Sequence, residues 1–530
     1  MALLLAAPPV LADGTPDPDR PVFFRVPDPA TSIRIREAVN SFGSPSPSIR
    51  EKARDDLSDI GYWSVGRLIE ATQTMGQQHR SNAILVLGRL GDPRALAPLR
   101  EAVRDESSEW PPVIAALMLG RMKDADDRTM AAFRDALGSR EKESKRKVAV
   151  ALALAKLARR RGPDSAALLD QILDKPTPNP FVHYAALLAL GFHRSRVAEA
   201  TADGTGYAPT KLLRDALTAP REGTRLSAVL ALALSRLDGL DPVFLVAFET
   251  DGDPEVRRAA LMALGKPREM PDAPTTDLLC RVLQNNSSNQ VERETAAYLL
   301  ALRRDPRSFD ALYAMANSNR STDLAAAAVV ALGGLEDRKV PDLLVAKLGH
   351  PSATVRAAAG VAAVRLGGTA DLQRLREAIA RRVQRGEDDT GARTDLRLAV
   401  EEIGRILKDR EDAAAGRPVA ARAPPGWKEA ESAGLFFRLG RSHRQALLDL
   451  ANLRVAQVLG IDSLFEYRPS GEPVPTGSGS GSLEGGSRFR REGVKLFEPY
   501  DLSVEFRHRP FFTLEDDPEE ARPALPRTGR

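Results

Sequence analysis

The stretch Asp253–Gly265, DPEVRRAALMALG, decides how this chain is read. Asp253 offers a short carboxylate suited to capping a helix, and Pro254 suits the first helical position, where a missing N–H goes unneeded. Val256, Ala260 and Leu264 then recur at i, i+4 and i+8, one face of a helix, and Gly265 reads as its stop. Past a proline-containing linker, Leu278, Leu279, Val282 and Leu283 mark a second, shorter amphipathic helix. The unit is therefore a helix pair.

The pattern repeats from about Ile49 to Arg385. Copies close on Leu87-Gly88, Leu119-Gly120, Leu190-Gly191, Leu332-Gly333 and Leu366-Gly367, and degenerate ones pass through Leu154, Leu234 and Leu300. The spacing is mostly roughly 30–36 residues, stretching to about 44 around Leu234, which fits roughly ten units into about 340 residues. One helix pair cannot bury both of its apolar faces, whereas stacked pairs share a continuous core. The fold expected is all-α: an α-solenoid superhelix of about ten helical pairs, with a partly disordered C-terminal extension.

Composition agrees with that architecture. Of 530 residues 43% are hydrophobic but only 5% aromatic, so the apolar mass is mostly Ala, Leu and Val. Small side chains let helices approach closely, and a bulky substitution at Ala260 or Ala359 is expected to cost about 1–3 kcal/mol by overpacking. Lys plus Arg outnumber Asp plus Glu by only 76 to 72, a near balance that argues against wrapping a nucleic acid. A single cysteine, Cys280, excludes an internal disulfide framework and any cysteine-rich metal centre.

The unit "Asp, then Val-Arg, then Ala-Ala-x-x-Leu-Gly" resembles HEAT repeats, especially the short HEAT-like type of many bacterial proteins and of phycobilin lyases. Val256-Arg257 and Val355-Arg356 carry it best, and Arg80, Arg225 and Arg293 stand near the helix starts of degenerate copies. Tetratricopeptide repeats share the length but need aromatics that are missing here. The resemblance implies a non-catalytic scaffold holding a protein or peptide partner on the concave face. Two other readings stay open: a HEAT-like lyase or modifying enzyme acting on a cofactor or protein, and a nucleic-acid-binding HEAT-like protein.

No catalytic, cofactor or metal residue can be assigned, and no cofactor is expected. The six histidines are followed by Arg80, Tyr184, Arg194, Pro351, Arg444 and Arg509, never by Glu, so the His-Glu pairs of HEAT-like di-iron hydroxylases are absent. Phosphate-loop, HExxH and nucleophile-elbow motifs are absent too. His183 and His193 lie ten apart, too far to share a metal on one helix turn. The recurrent arginines Arg225, Arg257, Arg293 and Arg356 would form a ladder along one side of the stack. They could grip an acidic partner by bidentate contacts, or pair internally, with Asp251 and Asp253 at hand for Arg257.

Outward from the repeats, residues 1–12 (MALLLAAPPVLA) read as a truncated signal peptide and 13–47 as a Pro-rich extended lead-in. The solenoid with its terminal cap helix covers 48–411, a linker 412–426, a helical segment 427–465, and a Gly/Ser-rich, low-order tail with a β-hairpin around 494–506 fills 466–530. Phe192–Pro209 is an insert in its unit, either a loop at a binding face or a tolerated surface loop. No apolar run is long enough to span a membrane. Export to the periplasm or envelope is the expectation, with a cytoplasmic protein as the alternative. N-terminal sequencing of the native protein is expected to begin at Asp13, and retention of the upstream residues would restore the cytoplasmic reading.

Overall fold

A computed structural model describes residues 27–139, 145–174, 179–201, 207–265, 273–318, 320–417 and 443–461, with 465–467, 473–475, 502, 506 and 509–513. The signal peptide expected at 1–12, most of the 412–426 linker and most of the hairpin expected around 494–506 lie outside these residues.

The chain divides into two compact units, 1–129 and 130–530. In the first, Pro29–Ser41 packs on Pro47–Ile60, Val65–Thr74 on Gln77–Leu90, and Leu96–Arg104 on Trp110–Arg121. The second opens its repeats with Lys145–Leu157, followed by seven packed pairs. Their second members are Pro180–Leu190, Glu222–Ser235, Pro254–Leu264, Gln290–Arg303, Thr322–Leu332, Ala353–Ala363 and Thr390–Ala414. Within each unit these second helices pack on one another in chain order and form an inner layer, while the first members form an outer one. Three pairs and seven make the α-solenoid of about ten that the spacing predicts.

Several inner helices, Trp110–Arg121, Pro180–Leu190 and Thr322–Leu332 among them, are apolar almost all round, as a layer with neighbours on both sides favours. Leu324–Leu332 is buried at every position, and Ala260 and Ala359 are buried as expected. Helix starts follow the capping chemistry read from the sequence: the Asp253 carboxylate accepts from the backbone N–H groups of Glu255 (3.0 Å) and Val256 (3.1 Å).

One reading is corrected. The extended lead-in is helical from Pro29, because Asp28 accepts from the Thr31 N–H at 3.0 Å and Ile35, Val39 and Phe42 bury one face. Gly265 and Gly333 do end their helices, without a left-handed turn, at φ −73° and φ −59°. Left-handed helix ends fall instead on Gly91, Arg236 and Arg304. The glycines serve contact, since a Cβ on Gly333 would lie 2.4 Å from the Ala362 carbonyl oxygen and one on Gly265 would lie 2.2 Å from a Leu299 methyl. Within the Phe192–Pro209 insert Ala198–Ala200 pairs antiparallel to Tyr207–Pro209.

Beyond the repeats one further helix, His443–Leu459, falls inside the expected helical segment, and Phe465–Tyr467 pairs antiparallel with Pro473–Pro475. The close glycine contacts make a measurable prediction. Gly333→Ala meets backbone that cannot yield and should lower the unfolding free energy by about 1–3 kcal/mol in urea titrations. Gly367→Ala, whose Cβ would find its nearest neighbour at an ordinary 3.6 Å, should change stability little.

Candidate functional site

The recurrent arginines occupy one structural place. Arg225, Arg257, Arg293 and Arg356 are each the fourth residue of their inner helix, and so are Arg50, Arg80 and Arg393. From there Nη1 reaches back over the preceding turn. Arg225 donates to the carbonyls of Ala219 and Pro220 (both 2.9 Å), and Arg257 to those of Asp251 (2.9 Å) and Gly252 (3.0 Å). Arg356 reaches His350 and Pro351 (both 2.7 Å), and Arg50 reaches Ser44 (2.8 Å) and Pro45 (3.1 Å).

The rest of the fork crosses to the next repeat. Arg225 holds Asp251 through Nε (2.7 Å) and Nη2 (3.0 Å), Arg257 holds Glu292 (2.8 Å from Nε), and Arg356 grips Glu387 (2.7 Å from Nε). In the first unit Arg80 reaches Asp105 at 2.8 Å. Arg293 instead donates to the Leu283 carbonyl at 2.9 Å and faces the Met315 sulfur at 3.8 Å. The ladder is thus present, with its donors committed to clasps inside the stack. Arg50 and Arg393 escaped the sequence reading, although Arg393 follows Asp389 by the same four residues that separate Arg257 from Asp253.

Electrostatics explains the carboxylates. A cation in the first turn faces the positive end of the helix dipole, so an acid from the next repeat offsets an unfavourable placement. The Arg356 guanidinium holds the buried Glu387 carboxyl below its ordinary range against the opposing effect of burial. Burial raises the Asp105 carboxyl, but the Ser107 hydroxyl and amide together with Arg80 outweigh it and hold the group at about 2.

At the opposite end of the inner layer the last helical carbonyls lack intrahelical donors. Arg365 supplies two of them, donating to Val330 (3.2 Å) and Ala301 (3.0 Å), and its burial pulls the guanidinium down to about 10. For two other inner helices the donors come from the C-terminal segment. Arg444 donates to the Leu234 carbonyl at 3.0 Å, and His443 Nε2 to that of Met262 at 2.6 Å.

The helix 443–459 lies across the inner helices 145–157, 180–190, 222–235 and 254–264. Ten residues beyond Arg444, Arg454 donates to the Gly223 carbonyl (2.9 Å) and the Ser227 hydroxyl (3.2 Å), with its guanidinium 4.8 Å from the centre of the Tyr184 ring. Leu450 and Leu453 line a small gap with Leu226, Leu230 and Ala259. A second latch follows at Phe511 and Phe512, both buried. Asn452 exchanges two hydrogen bonds with the Phe512 backbone (2.8 and 2.9 Å), and Phe192 of the insert stacks on the Phe512 ring at 4.5 Å.

Reactive groups elsewhere are subdued. Burial drops His193 to about 4 and lifts the Cys280 thiol to about 11. Among the described residues no group of three or more His, Cys, Asp or Glu is placed to hold a metal, and no helix is long and apolar enough to cross a membrane.

Residues 241–328 match the family model of HEAT repeats, so this stretch consists of HEAT repeats. The chain is similar to the solved structure of E. coli YibA at 14% identity, covering 58% of this chain and 94% of that one with a TM-score of 0.33. It is also similar to yeast importin-β (Kap95p) at 14% identity, covering 83% of this chain with a TM-score of 0.45. A structure of the karyopherin Kap121p bound to the SUMO protease Ulp1p matches at 14% identity over 82% of this chain, with a TM-score of 0.35. The chain spans 63% of the importin-β chain and 50% of the Kap121p chain. No curated protein matches the sequence.

The clasps predict an acid limb in stability. Glu387 has a depressed pKa when folded, so its contribution is present above the ordinary carboxylate range, near pH 4, and disappears as pH falls through the folded value. Glu387→Gln should reduce the unfolding free energy by about 3–5 kcal/mol at pH 7, as expected for half of a buried pair. Urea titrations should show that gap to the parent protein shrinking below about pH 4. A gap of constant size down to pH 2.5 would contradict the assignment.

Proposed function

We propose that this HEAT-repeat solenoid is a non-catalytic interaction scaffold, holding a protein or peptide partner on the exposed side of its inner helix layer. One observation carries the reading: a helical segment of polypeptide already lies on that layer. The 443–459 helix crosses four inner helices and is held by leucine packing and by donors aimed at backbone carbonyls. A surface that accepts one helix in this way supplies apolar area for affinity and unsatisfied helix ends for register. The arginine clasps take part only indirectly, by fixing the spacing between repeats, so partner contacts are assigned to the face of the inner helices and away from Arg225, Arg257, Arg293 and Arg356.

Tyr298 lies on the inner helix 290–303 and is partly exposed. A photo-crosslinking phenylalanine there, in the full chain and in native extract, should form a discrete adduct with a protein. The same group at Val246, exposed on an outer helix, should not. Adducts to nucleic acid alone, or equal capture at both positions, would overturn the proposal.

A further inference from the structure

The C-terminal helix differs from every other helix of its unit. From Pro180–Leu190 to Ala353–Ala363 each inner helix packs on the inner helices before and after it and on its own outer partner. Among the described residues the 443–459 helix has no outer partner of this kind, and it crosses four inner helices. Its polar contacts with the inner helices span 181 to 231 residues of sequence, whereas the clasps between neighbouring repeats span 25 to 35. The seven helix pairs of the unit are complete without it.

Its anchors are those of a ligand in a built site. His443, Arg444 and Arg454 are all buried, yet these are residues that a helix core seldom accepts. Arg444 and Arg454 stand about 15 Å apart along their helix at 1.5 Å per residue. Their acceptors, Leu234 and Gly223, stand about 16 Å apart on the 222–235 helix, so the two helices run antiparallel in register. The receiving side is shaped for the cation as well. A Cβ on Gly223 would lie 2.8 Å from Arg454 Nη2 and 2.6 Å from the Tyr184 ring, so only glycine leaves room for the guanidinium between carbonyl and aromatic face.

We infer that the inner face of helices 145–157 to 254–264 is a helix-docking site and that residues 443–459, latched by Phe511 and Phe512, are its resident occupant. The partner it fits is an α-helix of another protein carrying two cationic side chains ten positions apart with leucines between them. Such a helix binds by displacing the resident one. Tethering holds the resident at an effective concentration on the order of millimolar, so an outside helix competes at a disadvantage until the segment is released. This deepens the scaffold reading by naming the partner's chemistry, and it rests on that reading for the existence of a competitor.

The test uses the full chain with a specific protease site placed within residues 418–442, so that one cut leaves the C-terminal segment bound only by its contacts. The probe is a fluorescent polypeptide of residues 443–513. Its apparent affinity should rise at least tenfold on cutting, and the version with Arg444→Ala and Arg454→Ala should bind at least tenfold more weakly. Gly223→Ala in the array should speed release of the cut segment at least tenfold. If the cut segment leaves only at the urea concentration that unfolds the repeats, or if the probe binds equally before and after cutting, the helix is an integral part of the core and the inference falls. Capture of a partner at Tyr298 alongside a segment that never leaves would sink this inference alone. Exchange of the segment with no captured partner would sink the scaffold reading alone.

Discussion

The structure depends on how closely one inner helix can approach the next. Burying an all-apolar helix such as Thr322–Leu332 requires neighbours on both sides at short range, and only Ala and Gly at the contacts allow it. Gly265 against the Leu299 side chain and Gly88 against the Met118 side chain are the tightest of these meetings in their units, and Gly333 meets the Ala362 backbone almost as closely. The low aromatic content and the nearly all-round apolar character of helices such as Trp110–Arg121 and Pro180–Leu190 fit that one requirement. A larger side chain at any such contact would push apart two repeats and, through them, the loops that carry the clasps.

Close stacking brings the ends of the inner helices into two rows, and the two rows pose opposite electrostatic problems. At the N-terminal row a fourth-position arginine meets the positive end of its own helix, and the carboxylate of the following repeat offsets it, as Asp251 does for Arg225 and Glu387 for Arg356. At the C-terminal row the need is for donors, and cations suit it. Arg365 serves the helices ending near Ala301 and Val330, while Arg444 and His443 serve those ending near Leu234 and Met262. The clasps thereby hold the array in register, and the opposite row is where a segment from outside the repeats finds purchase.

The insert gains a meaning in this setting. Read from the sequence, Phe192–Pro209 was either a loop at a binding face or a tolerated excursion. In the folded chain its first residue stacks on Phe512, and its strands pair beside the 180–190 helix end, so part of it belongs to the latch that holds the C-terminal segment.

What the sequence determined by itself was everything that repeats locally. Capping Asp253, the i, i+4, i+8 faces and the Leu-Gly spacing each encode a helix start, a buried side and a period within a few residues of themselves, and ten stacked pairs follow from those. That Gly265 ends its helix was legible, but the close contacts of Gly265 and Gly333 were not, because only the neighbour's position reveals them. The arginine ladder was legible as a pattern, but its carboxylate partners stand 26 to 35 residues away, set by stacking and not by local turns. Least legible was the destination of the 443–459 helix. Its leucines announce only that it must be buried somewhere, and which face receives it depends on carbonyls and a glycine gap more than 180 residues distant, brought together by tertiary structure alone.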